Sequence, residues 1–183
     1  MPKSRKRQVA AAEDVEILPQ ALSPGALWQP VVGSETMGLI EGLGLPEASG
    51  RRVQDEAIRV LSKCIPPGQA MGSETGLVIG YVQSGKTLSF TTVAALARDN
   101  GFQMVIVIAG TSVTLLNQST ERLIADLRLN ARRDRKWQRF INPGPDGSDP
   151  INIQNTLADW DDPAVPMAEC RTVLITVMKH STH

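Results

Sequence analysis

The chain has 183 residues, with 19 Lys and Arg against 19 Asp and Glu and a formal net charge of zero at pH 7. That length accommodates one domain with a sizeable core, and the charge balance excludes binding to nucleic acid or anionic membranes through overall charge, so any such surface must be local. The longest apolar run, 104–109, is too short to cross a bilayer, and the basic N-terminus has no apolar h-region behind it, which excludes a membrane partner as an expectation and predicts a cytoplasmic protein.

Residues 1–50 read as a flexible leader. They open with the charge run Lys3, Arg5, Lys6, Arg7 and continue through Pro19, Pro24, Gly25, Pro30, Gly33, Gly42, Gly44 and Pro46 with few periodic elements. From Arg51 the pattern changes. Val53, Ala57, Ile58, Val60, Leu61 and Cys64 recur at helical spacing up to Pro66 and Pro67, predicting an amphipathic helix, and residues 51–183 are expected to form the folded domain. Cys64 and Cys170, the two cysteines, form no C-x-x-C pair and are expected as buried apolar side chains in a reducing compartment.

The most specific feature is Gly80-Tyr81-Val82-Gln83-Ser84-Gly85-Lys86-Thr87, a full match to the phosphate-binding pattern G-x-x-x-x-G-K-[ST]. Residues 75–79 (Thr-Gly-Leu-Val-Ile) predict a short buried strand entering this loop, and 86–98 predict the helix leaving it, ending at Asp99-Asn100-Gly101. Gly80 and Gly85 allow a tight turn in which backbone N–H groups, including those of Val82, Gln83 and Ser84, face an anion at a helix N-terminus. Lys86 would add a full positive charge at the β- and γ-phosphates, and the Thr87 hydroxyl would complete the shell of a Mg²⁺ ion. ATP and Mg²⁺ are therefore the expected cofactors, with Lys86 and Thr87 in the chemical roles.

Residues 102–109 form a nearly continuous apolar run, as expected for a strand covered on both faces, and a helix is expected from 113 to about 128, burying Leu116, Leu123, Ile124 and Leu127. Between 128 and 139 stand six basic residues against Asp134. If the helix continues, Arg128, Arg132, Arg135 and Arg139 form one positive stripe able to neutralise backbone phosphates, the alternative being a solvated helix face. Residues 142–150 read as a loop, 151–160 are ambiguous, and 171–178 predict a third apolar strand. Strands alternating with helices imply a parallel α/β sheet. No acidic residue follows a buried strand to hold Mg²⁺. A three-strand sheet that stops directly after its last strand leads us to expect the N-terminal part of a longer protein. His180 and His183 have no third ligand nearby in sequence, so no zinc site is expected.

Three blocks in order resemble the superfamily-two helicase-like ATPases. They are 80–87, then Val105-Ile-Val-Ile-Ala-Gly-Thr-Ser-Val-Thr-Leu-Leu-Asn-Gln118, which looks like helicase motif Ia, and Val173-Leu-Ile-Thr-Val-Met-Lys-His180. The third block, and Val-Gln-Ser-Gly-Lys-Thr at 82–87, are similar to the Z-one domain family of endonuclease-type and helicase-like ATPases, mostly bacterial and associated with defence against foreign DNA. Gly110 departs from the general motif, which has proline there. The resemblance covers about 51–183 and implies a RecA-like motor domain acting on DNA, with an endonuclease possible elsewhere in the whole protein. It also implies that Gln54 reads the adenine edge and that Thr111 contacts a strand's phosphate backbone, although Gln54 could equally be a surface residue and Thr111 a helix N-cap. A small-molecule kinase or a non-catalytic, ATP-gated interaction module stays open, as does the oligomeric state.

Overall fold

The computed structural model describes residues 28–69, 72–78 and 86–179. Its elements are α1 (Ser34–Gly42), α2 (Glu47–Leu61), α3 (Lys86–Asp99), β1 (Met104–Ile108), α4 (Val113–Asp126), β2 (Trp137–Ile141), α5 (Asp149–Asp161) and β3 (Thr172–Val177). The strands form a parallel sheet in the order β1-β3-β2, with Ile106 opposite Ile175 and Phe140 opposite the same residue on the other side. This is an α/β fold with a small parallel sheet. The central strand β3 is buried from Thr172 to Thr176, in keeping with its apolar Val173-Leu174-Ile175 centre flanked by threonines.

Helices lie on both faces. On one, Leu39 of α1, Ala95 of α3 and Leu123 and Leu127 of α4 surround Leu174, with Val105 and Val107 packed against them. α2 joins this side by packing Ala57 and Leu61 against Leu96 and Ala97. The opposite face holds Phe140, Val173 and Ile175 under Ile153 and Leu157 of α5, so the ambiguous stretch 151–160 is helical. α5 leaves Ile106 and Ile108 of β1 exposed. The buried Arg98 ties the layers together, donating from Nη1 to Thr172 Oγ1 at 2.8 Å.

The leader reading fails between 28 and 50. α1 carries buried Glu35, Thr36 and Leu39, although its N-cap, Gly33, has no side chain with which to cap it. The end of α3 supplies the cap: the Asp99 carboxylate accepts from the backbone N–H of Gly33 (3.0 Å), Glu35 (3.0 Å) and Thr36 (2.9 Å). A Cβ on Gly33 would sit 2.5 Å from Asp99 Oδ1, so glycine at 33 is what lets the carboxylate approach. Nothing local in 33–36 signals a cap 63 residues away. Asp99→Ala should cost about 2 kcal/mol in a urea melt, a lost cap plus N–H groups left without a partner. An unchanged midpoint would remove this account of why α1 is helical.

Helix α4 stops at Asp126, not beyond Arg128. Leu129 N–H donates to Ile124 C=O (2.9 Å) and Arg128 N–H to Ala125 C=O (3.1 Å), with Arg128 at φ 53°, the geometry of a Schellman cap in which Arg128 stands where glycine is usual. Leu129 then packs against the Leu39, Leu123 and Leu174 cluster, which holds the reversal in place. The chain re-enters the sheet as β2, favoured by Trp137, Phe140 and Ile141. Arg128→Gly should raise stability by about 1 kcal/mol by relieving the left-handed conformation, measured by chemical denaturation. A loss of that size would mean that the arginine's contacts outweigh the strain.

Two further expectations need correction. Residues 72–78 form no strand, and Leu77 and Val78 are 82% and 54% exposed. An apolar run marks a segment able to be buried, but a strand also needs a ladder partner, and β1, β2 and β3 provide none here. Cys170 is buried as expected, whereas Cys64 is exposed, because α2 ends at Leu61 and the chain turns away before reaching it.

Candidate functional site

The described part of the phosphate motif is its exit, where α3 begins at Lys86. Gly80, Val82, Gln83, Ser84 and Gly85 lie outside the described residues, as do Ile79, the basic run at 3–7 and both histidines. α3 is held rigidly at its far end: Ala94, Ala95, Leu96 and Ala97 are at most 5% exposed. The expected stop is observed. Gly101, at φ 82°, closes a Schellman cap with Phe102 N–H donating to Ala97 C=O. The short return over 100–103 brings the chain back antiparallel into β1, so the first turn of α3 lies toward the side of the sheet where the strands end. In parallel α/β sheets, ligands bind on that side.

Also there is the turn after β1. Gly110 has φ 66°, and a Cβ on it would come within 2.8 Å of Leu115 Cδ1. Proline cannot adopt this angle, so the departure from the helicase pattern at 110 has a conformational basis in this chain. The Gly110 carbonyl accepts from the N–H of Lys179, just past β3, at 2.7 Å. Ser112, not Thr111, caps α4, its Oγ accepting from Leu115 N–H at 3.3 Å. Thr111 is thereby left exposed at the strand ends. Gln118 is exposed on α4, and Gln54 is half-buried on α2, one turn before Ala57. The three strands are followed by Ala109, Asn142 and Met178, none a carboxylate, and no group of three or more His, Cys, Asp or Glu able to hold a metal occurs among the described residues. Thr87 is the one candidate Mg²⁺ contact, and its side chain also lies outside the description.

The arginine stripe does not exist as a helix face, yet three of its four members still meet. Arg132, Arg135 and Arg139 line a cleft of about 410 Å³ with Leu129, Lys136, Trp137, Gln138 and Arg171. It lies along β2, the outer strand, at the side where β2 and β3 begin, away from the first turn of α3. Arg128 is not part of it; its guanidinium lies against Gly42. Lys136 was one of the six basic residues in the run, but Arg171 is 32 positions beyond Arg139 and only the parallel pairing of β2 with β3 brings it near.

Beneath this cleft is an ionic knot centred on the buried Glu35. Arg132 donates to both oxygens of Glu35, each at 2.7 Å, and to Asp134. Trp137 Nε1 also donates to Glu35, at 3.0 Å, and Lys136 Nζ stands 3.5 Å away. Burial pushes the Glu35 carboxyl up, but the hydrogen bonds from Arg132 and Trp137 and the charges of Arg132 and Lys136 outweigh it, leaving its pKa below the ordinary value. The Arg132 hydrogen bond likewise holds Asp134 low, and Glu35 in turn keeps Arg132 firmly charged.

No family model, curated protein or solved structure matches this chain. No helix among the described residues is long and apolar enough to cross a membrane.

Proposed function

We propose that this chain is the ATP-binding portion of a RecA-like, helicase-like DNA-processing ATPase of the Z-one type, acting with Mg²⁺. One observation carries the reading: a complete phosphate-binding motif runs in sequence into α3, which is helical over Lys86–Asp99 within a parallel α/β arrangement. Backbone N–H groups of 80–87 would cradle the phosphates, Lys86 would neutralise the β- and γ-oxygens, and Thr87 would hold the metal, which when bound supplies charge neutralisation across those oxygens. Thr111 and Lys179 lie at the strand ends, where a polymer's phosphates would be engaged.

The lack of a carboxylate at the ends of the described strands favours one second reading, an ATP-gated interaction module without turnover of its own. A kinase lid receives less support, because the basic cluster lies away from the start of α3. ATP hydrolysis by the longest product of the gene, with and without single-stranded and duplex DNA and beside its Lys86→Ala variant, tests the proposal. DNA-stimulated turnover that vanishes in the variant supports the motor. Nucleotide binding with no turnover under any condition supports the gated module.

A further inference from the structure

We propose that the cleft beside β2 is a second polyanion site, which grips the phosphate backbone of a nucleic acid on the side of the sheet away from the start of α3. Its identification as a nucleic-acid contact rests on the DNA-processing reading above, while the cationic character of the cleft stands on geometry alone.

Five basic side chains converge on about 410 Å³ of open space, and they are not equally committed to internal partners. Arg132 is consumed by Glu35 and Asp134. Arg171 shares Asp159 at 3.0 Å, and Lys136 faces Glu35 at 3.5 Å. Arg139 bonds only a neutral amide, Asn130 Oδ1 at 2.9 Å, and among the described residues neither Arg135 nor Arg139 has a carboxylate partner. Both are exposed. The ionic knot therefore serves as a rigid floor that uses up Arg132, while Arg135 and Arg139 present uncompensated guanidinium groups at its rim, with Lys136 and Arg171 partly available.

The lining also limits what is recognised. Trp137 is half-buried, packed on the Leu39 and Leu174 cluster with Nε1 donating to Glu35, so its ring is committed to the fold and poorly placed for a base to stack on. Leu129 is the one other large apolar side chain in the lining, so there is no pocket for an apolar anchor of a peptide. Guanidinium forks without a stacking platform suit phosphodiester oxygens and give binding indifferent to base sequence. Positive charge on an edge strand can also act simply to discourage edge-to-edge pairing, and the experiment separates that role from binding.

The test is fluorescence anisotropy of a labelled 20-nucleotide single strand with the full chain, titrated across NaCl concentrations, for the wild type, Arg135→Ala/Arg139→Ala, the Lys pair Arg135→Lys/Arg139→Lys, and Lys86→Ala. Loss of two phosphate contacts should lower the salt slope by about 1.4 and the low-salt affinity on the order of tenfold. The Lys pair should retain most of the slope, poly-dT and mixed sequence should bind alike, and ATP binding by the double Ala variant should be unchanged. Equal affinity and slope in the double Ala variant would overturn the site, and new aggregation in that variant would assign the charges to guarding the edge. Polyglutamate competing as well as DNA would overturn the nucleic-acid assignment. If Lys86→Ala and wild type bind ATP equally while the double Ala variant loses DNA, the nucleotide reading falls and the cleft stands; the reverse pattern removes the cleft alone.

Discussion

Lys86→Ala should weaken Mg·ATP binding by at least about 100-fold in calorimetric titration. The ammonium is expected to meet oxygens of two phosphate groups, and a charge-assisted hydrogen bond contributes roughly 1.5–3 kcal/mol, each 1.4 kcal/mol being a factor of ten in affinity. The remaining backbone donors would still attract a phosphate, so residual weak binding to pyrophosphate is compatible with the proposal. The fold should not change, since α3 is anchored through Ala94 to Arg98, all buried. An affinity within twofold of the wild type would mean that 80–87 is a glycine-rich turn with a solvated lysine, and both the motor and the gated-module readings would fail with it.

Glu35→Ala should destabilise the domain by about 3 kcal/mol, the lower end for breaking a buried ion pair. The lower end applies because Asp134 still engages Arg132, so the guanidinium is not abandoned. Trp137 Nε1, however, loses its acceptor, and α1 loses one of its links to the start of β2. Glu35→Gln keeps an acceptor of similar shape and should cost less. The pH dependence has a definite sign. Because the folded pKa of Glu35 lies below its unfolded value, the carboxylate stabilises the fold fully above the ordinary glutamate range, and that contribution disappears as pH falls through the lowered value. Asp134 acts in the same direction. Urea melts of wild type and Glu35→Gln should therefore converge as pH drops below about 4.5. A gap that stays constant down to acid pH would show that the side chain matters for packing and not for charge.

Local patterns foretold much of the chain accurately. Apolar runs located β1 and β3, helical spacing of apolar residues located α2 and α4, and Asp99-Asn100-Gly101 marked the end of α3, because each signal is completed by residues within one or two turns of itself. The errors share a cause as well. Asp99 caps α1 from 63 positions or more away, Leu129 ends α4 by finding a core assembled from α1, α4 and β3, and residues 75–78 have no strand partner. None of these is a property of the segment concerned.

The candidate site divides in the same way. The phosphate motif is legible as a pattern because the chemistry it implies would be local: glycines, a lysine and a hydroxyl at fixed spacing along the chain. The sequence by itself determined that motif's residues and spacing, together with the alternation of strands and helices that makes the sheet parallel. Only the tertiary structure decided that four arginines in a row do not share a helix, that three of them nevertheless gather with Arg171 beside β2, and that Glu35 lies buried beneath them. The physical reason is that a helix ends where a core contact outcompetes its next hydrogen bond, and such contacts depend on residues distant in the chain, whereas the phosphate-binding pattern occupies the single unbroken stretch 80–87.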